Sequence, residues 1–242
     1  MNLAIIGYGK MGKAIEEIAL ERGHQIAAVF DITNPLSQEK LKGIDAAIEF
    51  SQPNSVVQNI KICAEAGVPV VVGTTGWYDH FEEVQDFVAN TQGALLPATN
   101  FSLGVNITFF INKVLAKIMS QYPYTVGLTE THHTQKLDTP SGTAISLGEG
   151  IVNNHSAFTR WNLSETHSFA ANGSLPIQAL REENVPGTHT VEYKNDIDSI
   201  ELKHTAFNRK GFASGALDAA EWIIGRKGIY KIEDMFNFEQ YL

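Results

Sequence analysis

The residues between positions 130 and 143 form the densest group of side chains that could do chemistry in this chain of 242 residues. Among them, His132, His133 and Lys136 could transfer a proton or bind an anion, because imidazole titrates near neutral pH and an ammonium group carries protons. On a strand, the two adjacent histidines would point to opposite faces and could not easily share a metal ion. No second ligand pair has metal-site spacing, so we predict proton transfer or anion binding and no metal.

Ser141, Gly142 and Thr143 follow Pro140 and are expected to open a helix. Hydroxyl and backbone N–H groups at a helix N-terminus can hold a carboxylate. The sequence therefore predicts an anion-binding site here. The alternative is a capped helix beside surface histidines, with no ligand.

A glycine-rich loop, Gly7-Tyr8-Gly9-Lys10-Met11-Gly12, lies between a predicted strand and a predicted helix. The first glycine permits a tight turn, the second lets the backbone approach a pyrophosphate, and the third allows close helix–strand packing. Asp31 comes 19 residues after Gly12, where an acid would bind the adenosine ribose. The pattern predicts a bound nicotinamide dinucleotide; the alternative is a simple glycine turn and a solvated acid.

The residue that follows Asp31 bears on the choice of nucleotide. A carboxylate repels a 2′-phosphate, and Ile32 stands where an arginine would accommodate one. Lys10 could partly offset the repulsion. We therefore expect NADH to be preferred over NADPH.

Two further loops follow predicted strands and could line the cofactor. Ligands of parallel sheets bind beyond the carboxyl ends of the strands, and small residues let backbone groups approach them. The alternative is that both loops are plain turns. The candidate residues are Gly73, Thr74 and Thr75 in the first loop, and Ala98, Thr99, Asn100 and Phe101 in the second.

The elements that must position these residues follow from hydrophobic periodicity. In the first hundred residues, we predict strands at 2–6, 25–30, 45–50, 68–72 and 94–96, a helix after residue 11, and helices at 53–66 and 78–90. Alternating strands and helices predict a parallel, doubly wound sheet. Later, we predict helices at 104–119, 141–152 and 212–225, and strands at 124–133, 188–193 and 197–204. The last two strands form an antiparallel hairpin.

The fold class is therefore α/β, with a Rossmann-type nucleotide-binding domain and an α+β domain that carries a mixed sheet. The predicted boundaries assign residues 1–101 and 212–242 to dinucleotide binding. Residues 102–211 form the second predicted domain.

The composition excludes several classes of partner and location. The net charge of −9 and the lack of basic runs argue against nucleic acid. No apolar run has the length of a membrane span, and no signal peptide is expected at the N-terminus. The single cysteine, Cys63, lies in an apolar stretch and is expected to be a buried, reduced thiol. We therefore expect a cytoplasmic protein.

Taken together, these motifs resemble the dihydrodipicolinate reductase (4-hydroxy-tetrahydrodipicolinate reductase) family, over nearly the whole chain. Residues 9–12 are similar to the family's Gly-Arg-Met-Gly, residues 48–51 to its Ile-Asp-Phe-Thr, and residues 73–76 and 100–106 also match. The most specific match is the string Glu-x-His-His-x-x-Lys-x-Asp-x-Pro-Ser-Gly-Thr at residues 130–143.

The resemblance implies that the protein uses NAD(P)H to reduce 4-hydroxy-tetrahydrodipicolinate to tetrahydrodipicolinate, in diaminopimelate and lysine biosynthesis. It also implies a homotetramer, with residues 102–211 binding the substrate and assembling the subunits. It implies that His132 is the proton donor or acceptor and Lys136 a second proton donor. His133, Gly142 and Thr143 would bind the cyclic dicarboxylate. Arg209 and Phe212 would approach the nicotinamide.

Three departures from the family pattern concern the nucleotide side alone. Ile32 replaces an arginine, Lys10 replaces another arginine, and the stretch between residues 31 and 45 is short.

Two other functions remain open. A related amino-acid dehydrogenase of the aspartate type would share the glycine loop without the string at 130–143. A non-catalytic NAD(H)-sensing module would need neither His132 nor Lys136.

Overall fold

A computed structural model describes residues 1–241, apart from the side chain of Glu239. The chain divides into two compact units, the first made of residues 1–103 and 209–242 and the second of residues 104–208. Residue 242, the last of the predicted nucleotide-binding segment, lies outside the described residues.

The strands and helices are numbered separately in chain order. The strands are β1 (Asn2–Ile6), β2 (Gln25–Phe30), β3 (Ala46–Glu49), β4 (Val70–Val72), β5 (Ala94–Pro97), β6 (Thr125–His132), β7 (Phe158–Ser164), β8 (Gly173–Arg181), β9 (Gly187–Lys194), β10 (Ser199–Ala206) and β11 (Gly228–Ile229). The helices are α1 (Lys10–Glu21), α2 (Pro53–Glu65), α3 (Phe81–Thr91), α4 (Leu103–Met119), α5 (Gly142–Val152), α6 (Lys210–Ile223) and α7 (Ile232–Phe236). Short 3₁₀ turns occupy Gln38–Leu41, Tyr78–His80 and Phe238–Tyr241.

The first unit contains a six-stranded parallel sheet in the order β11-β5-β4-β3-β1-β2. Side chains alternate across β1: Leu3 and Ile5 belong to the core layer that includes α1 and α6, whereas Ala4 and Ile6 belong to the layer with α2 and α3. Both faces of the sheet are thus covered by helices. This is the doubly wound arrangement that the sequence predicts, and the α/β prediction is confirmed.

The second unit contains a five-stranded mixed sheet in the order β10-β9-β6-β8-β7. Its central strand, β6, pairs antiparallel with β9 and parallel with β8. The mixed sheet is also as predicted. Helix α5 packs on this sheet through buried residues that include Leu147 and Ile151. The strand that ends at His132 and the helix that begins at Gly142 therefore belong to one packed layer pair.

Several predicted elements need correction. The helix predicted from residue 78 begins at Phe81, after a 3₁₀ turn, and the strand predicted to reach residue 133 ends at His132. Strands β7 and β8 were missing from the prediction. Most side chains of β7 are not buried, and Pro176 interrupts the pattern of β8, because proline is rare inside sheets.

Candidate active site

Local geometry requires glycine at two of the three glycine positions in the loop at residues 7–12. Gly7 has a φ of +91°, and a Cβ atom there would lie 2.2 Å from the Phe50 carbonyl oxygen. A Cβ on Gly12 would lie 2.3 Å from the Gly7 oxygen. At Gly9, by contrast, an added Cβ would meet nothing within 4 Å. The backbone at Gly9 is therefore open to a ligand, as the pyrophosphate interpretation requires.

Helix α1 begins at Lys10 with no side-chain cap hydrogen bond on its N-cap residue, Gly9. Uncapped N–H groups and the positive end of the helix dipole attract phosphate. Lys10 is exposed beside them, and Met11 packs against the core. The neighbouring Tyr8 hydroxyl donates to Glu16, which raises the pKa of Tyr8. The residues present therefore fit a dinucleotide.

A cavity of about 1060 Å³ extends from this loop across the carboxyl ends of β1 to β4. It brings together most of the predicted cofactor residues. Its walls include Gly7, Tyr8, Gly9, Lys10, Met11, Asp31, Ile32, Gly73, Thr74 and Thr75. Gly73 is close-packed, since a Cβ there would lie 2.1 Å from the Phe50 ring.

The cavity also has a wall that the sequence analysis missed. Residues 50–55, which follow β3, line it together with Asn59. Beneath them, Glu49 is fully buried and accepts hydrogen bonds from Ser51 and Asn59. Burial raises the pKa of Glu49 despite these bonds. Their position just beyond a strand, like that of Gly73, was the sequence feature that could have indicated a role in this cavity.

The carboxylate of Asp31 is held in a defined orientation. Its Oδ1 atom accepts bonds from Thr33 Oγ1 at 2.7 Å, Thr33 N at 2.8 Å and Asn34 N at 3.0 Å. These bonds, from the Thr33 hydroxyl first, lower the pKa of Asp31, so the group is ionised at neutral pH. Among the described residues, none donates to Oδ2. Ile32 is fully exposed beside it.

The second predicted cofactor loop is mostly interior. Ala98, Asn100 and Phe101 are buried, whereas Thr99 is exposed, and none of the four is among the cavity-wall residues in the described part of the chain. Asn100 Oδ1 accepts a bond from the backbone of Ser102 at 2.9 Å. The Phe101 ring lies 6.0 Å from that of Phe50, a cavity-wall residue. This loop thus supports the wall from behind.

In the second unit, a fully buried carboxylate lies at the centre of the predicted catalytic cluster. Glu130 Oε2 is 3.3 Å from His132 Nδ1 and 3.6 Å from His189 Nε2. Its Oε1 accepts the Ser141 N–H at 3.0 Å and lies 3.6 Å from Arg181 Nη1. Burial by itself raises the pKa of Glu130. The nearby imidazoles of His132 and His189, together with the bond from Ser141, outweigh burial and hold the pKa well below its usual range.

His189 and Arg181 were absent from the predicted site. His189 lies opposite Glu130 in the pairing of β9 with β6, and Arg181 lies opposite His132 in the pairing of β8 with β6. Together, Glu130, His132 and His189 place three possible ligand atoms within 4.8 Å of one another. These three atoms are close enough to hold a metal ion, a grouping that spacing along the sequence did not show; that no metal binds stays a prediction.

The remaining predicted catalytic residues lie in the turn after β6. Lys136 Nζ is 2.8 Å from the Asp138 carboxylate, which it helps to keep ionised. The backbone N–H of Lys136 bonds the His133 oxygen at 3.0 Å, so this segment is a tight turn. His133 Nδ1 is buried, and no described residue bonds it. Arg181 bonds the Asp138 carbonyl at 2.7 Å and ties the turn to β8.

Helix α5 begins at Gly142, close to the predicted start, and Ser141 caps it, as in the alternative interpretation. Its hydroxyl accepts the Ala144 N–H at 3.2 Å, and the same oxygen is 3.2 Å from His189 Nε2. The residue is buried, so its polar groups serve the fold. Gly142 and Thr143 form the first turn of α5, and a Cβ at Gly142 would meet nothing within 4 Å. The open backbone at the helix N-terminus is suited to a carboxylate.

Comparison with known proteins decides the family. The family model "Dihydrodipicolinate reductase, N-terminus" matches residues 1–101, and "Dihydrodipicolinate reductase, C-terminus" matches residues 104–236. The chain belongs to the dihydrodipicolinate reductase family. It is an NAD(P)H-dependent oxidoreductase that reduces 4-hydroxy-tetrahydrodipicolinate to tetrahydrodipicolinate, so the predicted family and activity are confirmed.

Individual relatives agree with this assignment of the reductase. It is 45% identical over 240 residues to the 4-hydroxy-tetrahydrodipicolinate reductase of Christiangramia forsetii, with 98% of each chain covered. The Acinetobacter baumannii enzyme of the same name is 30% identical, with 98% of this chain and 96% of that one covered.

Solved structures show the same fold. Dipicolinate-bound dihydrodipicolinate reductase from Paenisporosarcina sp. TG-14 matches with a TM-score of 0.76 at 21% identity, covering 96% of this chain and 97% of that one. Amine dehydrogenase from Mycobacterium smegmatis matches with a TM-score of 0.63 at 12% identity, covering 96% and 95%. The fold alone is therefore shared with enzymes of other activities.

No described helix is long and apolar enough to cross a bilayer.

Proposed function

We propose that the reductase uses His132 as its principal proton donor, Lys136 as a second donor, and NADH in preference to NADPH. The observation that carries the proposal is the Glu130–His132–Ser141 arrangement. One buried carboxylate contacts the imidazole at 3.3 Å and the N-cap of α5 at 3.0 Å. A group that can transfer a proton and a helix N-terminus that can hold an anion are thereby fixed together within one unit.

When bound, the nicotinamide nucleotide supplies a hydride to C4 of the cyclic substrate, whose 4-hydroxyl has left as water. His132 then supplies a proton that neutralises the negative charge developing on the ring. General acid help of this kind contributes typically ~10²–10⁴-fold to a rate. Lys136, held by Asp138 at 2.8 Å, is the second source of that proton.

For substrate binding, we assign the dicarboxylate to His133 and the first turn of α5. The backbone N–H groups of Gly142 and Thr143 would hold one carboxylate, and Ser141 would fix the start of the helix through its cap. A dipicolinate-bound relative of the same fold supports a small cyclic dicarboxylate as ligand.

The cofactor is assigned to the cavity of the first unit. Its pyrophosphate would lie on the loop at residues 7–12, with the cavity-wall residues Gly73, Thr74 and Thr75 around it and residues 98–101 supporting the wall. The preference for NADH rests on Asp31, whose ionised carboxylate repels a 2′-phosphate, and on the fully exposed Ile32. The approach of Arg209 and Phe212 to the nicotinamide remains a prediction.

We also propose a homotetramer in the cytoplasm, with residues 102–211 forming the contacts between subunits. The family resemblance supports the tetramer, and the buried, unpaired Cys63 suits a reducing compartment. Light scattering of the purified protein would measure the assembly; a monomer at micromolar concentration would contradict it.

One assay tests the catalytic assignment. The aldol product of pyruvate and aspartate semialdehyde is supplied, and oxidation of NADH and of NADPH is followed with wild type, His132→Gln and Lys136→Cys. We expect both variants to lose turnover by about 10²-fold or more while binding NADH normally. Near-normal turnover in both would refute the assignment. A dehydrogenase acting on aspartate, or a sensing module that binds NADH without turnover, would each give a null result with this substrate.

A further inference from the structure

We propose that Glu130 is a positioning residue that fixes which ring nitrogen of His132 exchanges the proton. The carboxylate holds Nδ1, which leaves Nε2 for the substrate. This inference rests on the proposed role of His132 as proton donor. The contact that defines it is the 3.3 Å separation between Glu130 Oε2 and His132 Nδ1. Both atoms are buried and neither forms a hydrogen bond in the described part of the chain, so each is the polar partner available to the other.

The first step of the argument is burial. Glu130 is fully buried and His132 is only 6% exposed, so water cannot readily take the place of either partner. A neutral imidazole carries its single proton on one of two nitrogens, and an ionised carboxylate can only accept. The nitrogen beside the carboxylate is therefore the one that carries the proton at rest.

The second step is the charge of the carboxylate. Glu130 Oε1 accepts the Ser141 N–H at 3.0 Å and faces the Arg181 guanidinium at 3.6 Å. These contacts stabilise the anion and leave Oε2 for the histidines. A carboxylate with its other oxygen already bonded cannot rotate freely, so Oε2 keeps its place beside His132 Nδ1.

The third step concerns the opposite nitrogen. His132 Nε2 faces the backbone of Gly187, at the start of β9, where an added Cβ would lie only 2.9 Å away. Glycine therefore keeps a space beside Nε2 that any side chain would reduce. Nδ1 lies beside the buried acid, whereas Nε2 lies on the opposite side of the ring, beside a residue that has no side chain.

His189 is the other histidine that lies close to Glu130 Oε2. Its Nε2 is 3.6 Å from Glu130 Oε2, farther than His132, and 3.2 Å from the Ser141 hydroxyl. Burial lowers the pKa of His189, so it is a neutral neighbour that does not take up the acid's charge. The two imidazole rings pack edge to face with centroids 5.0 Å apart. His189 thus limits the movement of His132, and His132 remains the histidine closer to Glu130 Oε2.

The experiment measures the tautomer directly. Nitrogen-15 NMR of the full-length protein, with His132→Gln used to assign the signal among eight histidines, reports which nitrogen carries the proton. We expect the Nδ1–H form in wild type. In Glu130→Gln, the amide can donate to Nδ1, and we expect the Nε2–H form together with a kcat lower by about 10²–10⁴-fold, as when a triad carboxylate becomes an amide.

Two further variants separate positioning from a general loss of structure. Glu130→Asp keeps the charge and should keep the Nδ1–H form, with a smaller loss of kcat. Glu192→Gln is the matched control. Glu192 lies on β9 of the same sheet and is 3.6 Å from a histidine, His167, that is half exposed. It should leave the tautomer and kcat unchanged, and all three variants should bind NADH like wild type.

Two outcomes would overturn the inference: an Nε2–H form in wild type, or a Glu130→Gln variant that folds and keeps both the tautomer and kcat. If Glu130→Gln does not fold, the tautomer of His132 measured in the wild-type protein still tests the inference. Failure of the proposed function is a separate result, because it would appear as full turnover in His132→Gln whatever the tautomer.

Discussion

The ammonium group of Lys136 lies 2.8 Å from the carboxylate of Asp138, two residues along the same turn. The pair is partly exposed, and such pairs contribute little to stability. We therefore infer that the ion pair serves to orient Lys136, because it gives this long, flexible side chain one defined position. Arg181 anchors the same turn by bonding the Asp138 carbonyl and the Thr139 hydroxyl, each at 2.7 Å.

This relationship predicts that Asp138→Asn lowers turnover without affecting folding. Losing the partner of Lys136 should reduce kcat by about tenfold, within the cost expected for a small misplacement of a catalytic group. Steady-state kinetics and thermal unfolding would measure the two effects. Asp196→Asn, an equal change of charge at an exposed turn, is the control and should match wild type. An unchanged kcat in Asp138→Asn would show that the ion pair does not position Lys136.

The glycine loop predicts different results at two of its positions. Gly9→Ala should fold normally, because its Cβ meets nothing within 4 Å, and yet weaken NADH binding because the methyl group occupies the pyrophosphate side. Gly12→Ala should also lower the thermal stability, because its Cβ would lie 2.3 Å from the Gly7 oxygen. Fluorescence titration with NADH and calorimetry would separate the effects. Equal unfolding temperatures for the two variants would contradict this account.

The proposed preference for NADH predicts a gain of NADPH use in Ile32→Arg. A guanidinium beside the adenosine ribose can pair with a 2′-phosphate, whereas Asp31 repels it. We expect the ratio of kcat/KM for NADPH over NADH to rise by about tenfold, equivalent to about 1.4 kcal/mol. Ile32→Leu keeps an apolar side chain and should leave the ratio unchanged. If wild type already uses NADPH as well as NADH, the interpretation of Asp31 is wrong.

How much the sequence predicts depends on how local the information is. The need for glycine at positions 7 and 12 follows from one turn, and the structure shows the close contacts that impose it. His189 is 57 positions beyond His132 and joins the cluster only because β9 pairs with β6. Strand pairing is a tertiary property, so no periodicity within either strand could reveal that contact.

Arg181 was missed for a related reason. It ends β8, a strand whose Pro176 and partly exposed side chains conceal it from pattern analysis. Conversely, the string at residues 130–143 indicated the family but did not show the hydrogen bonds of Ser141. Its hydroxyl caps α5, and its backbone N–H donates to Glu130. Residue types can therefore indicate a chemistry, while the hydrogen-bond partners that control it depend on the packed sheet.

The buried carboxylate of Glu130 predicts how stability depends on acid. Its pKa is lowered in the folded state, and in the unfolded chain it returns to its ordinary value of 4.5. A lowered folded pKa gives stability that is fully present above the unfolded value and is lost as the pH falls through the folded one. The unfolding temperature of wild type should therefore fall more steeply than that of Glu130→Gln between about pH 5 and pH 3. Differential scanning calorimetry would measure both curves, with Glu192→Gln expected to follow wild type. Parallel curves for wild type and Glu130→Gln would show that the network does not hold Glu130 ionised.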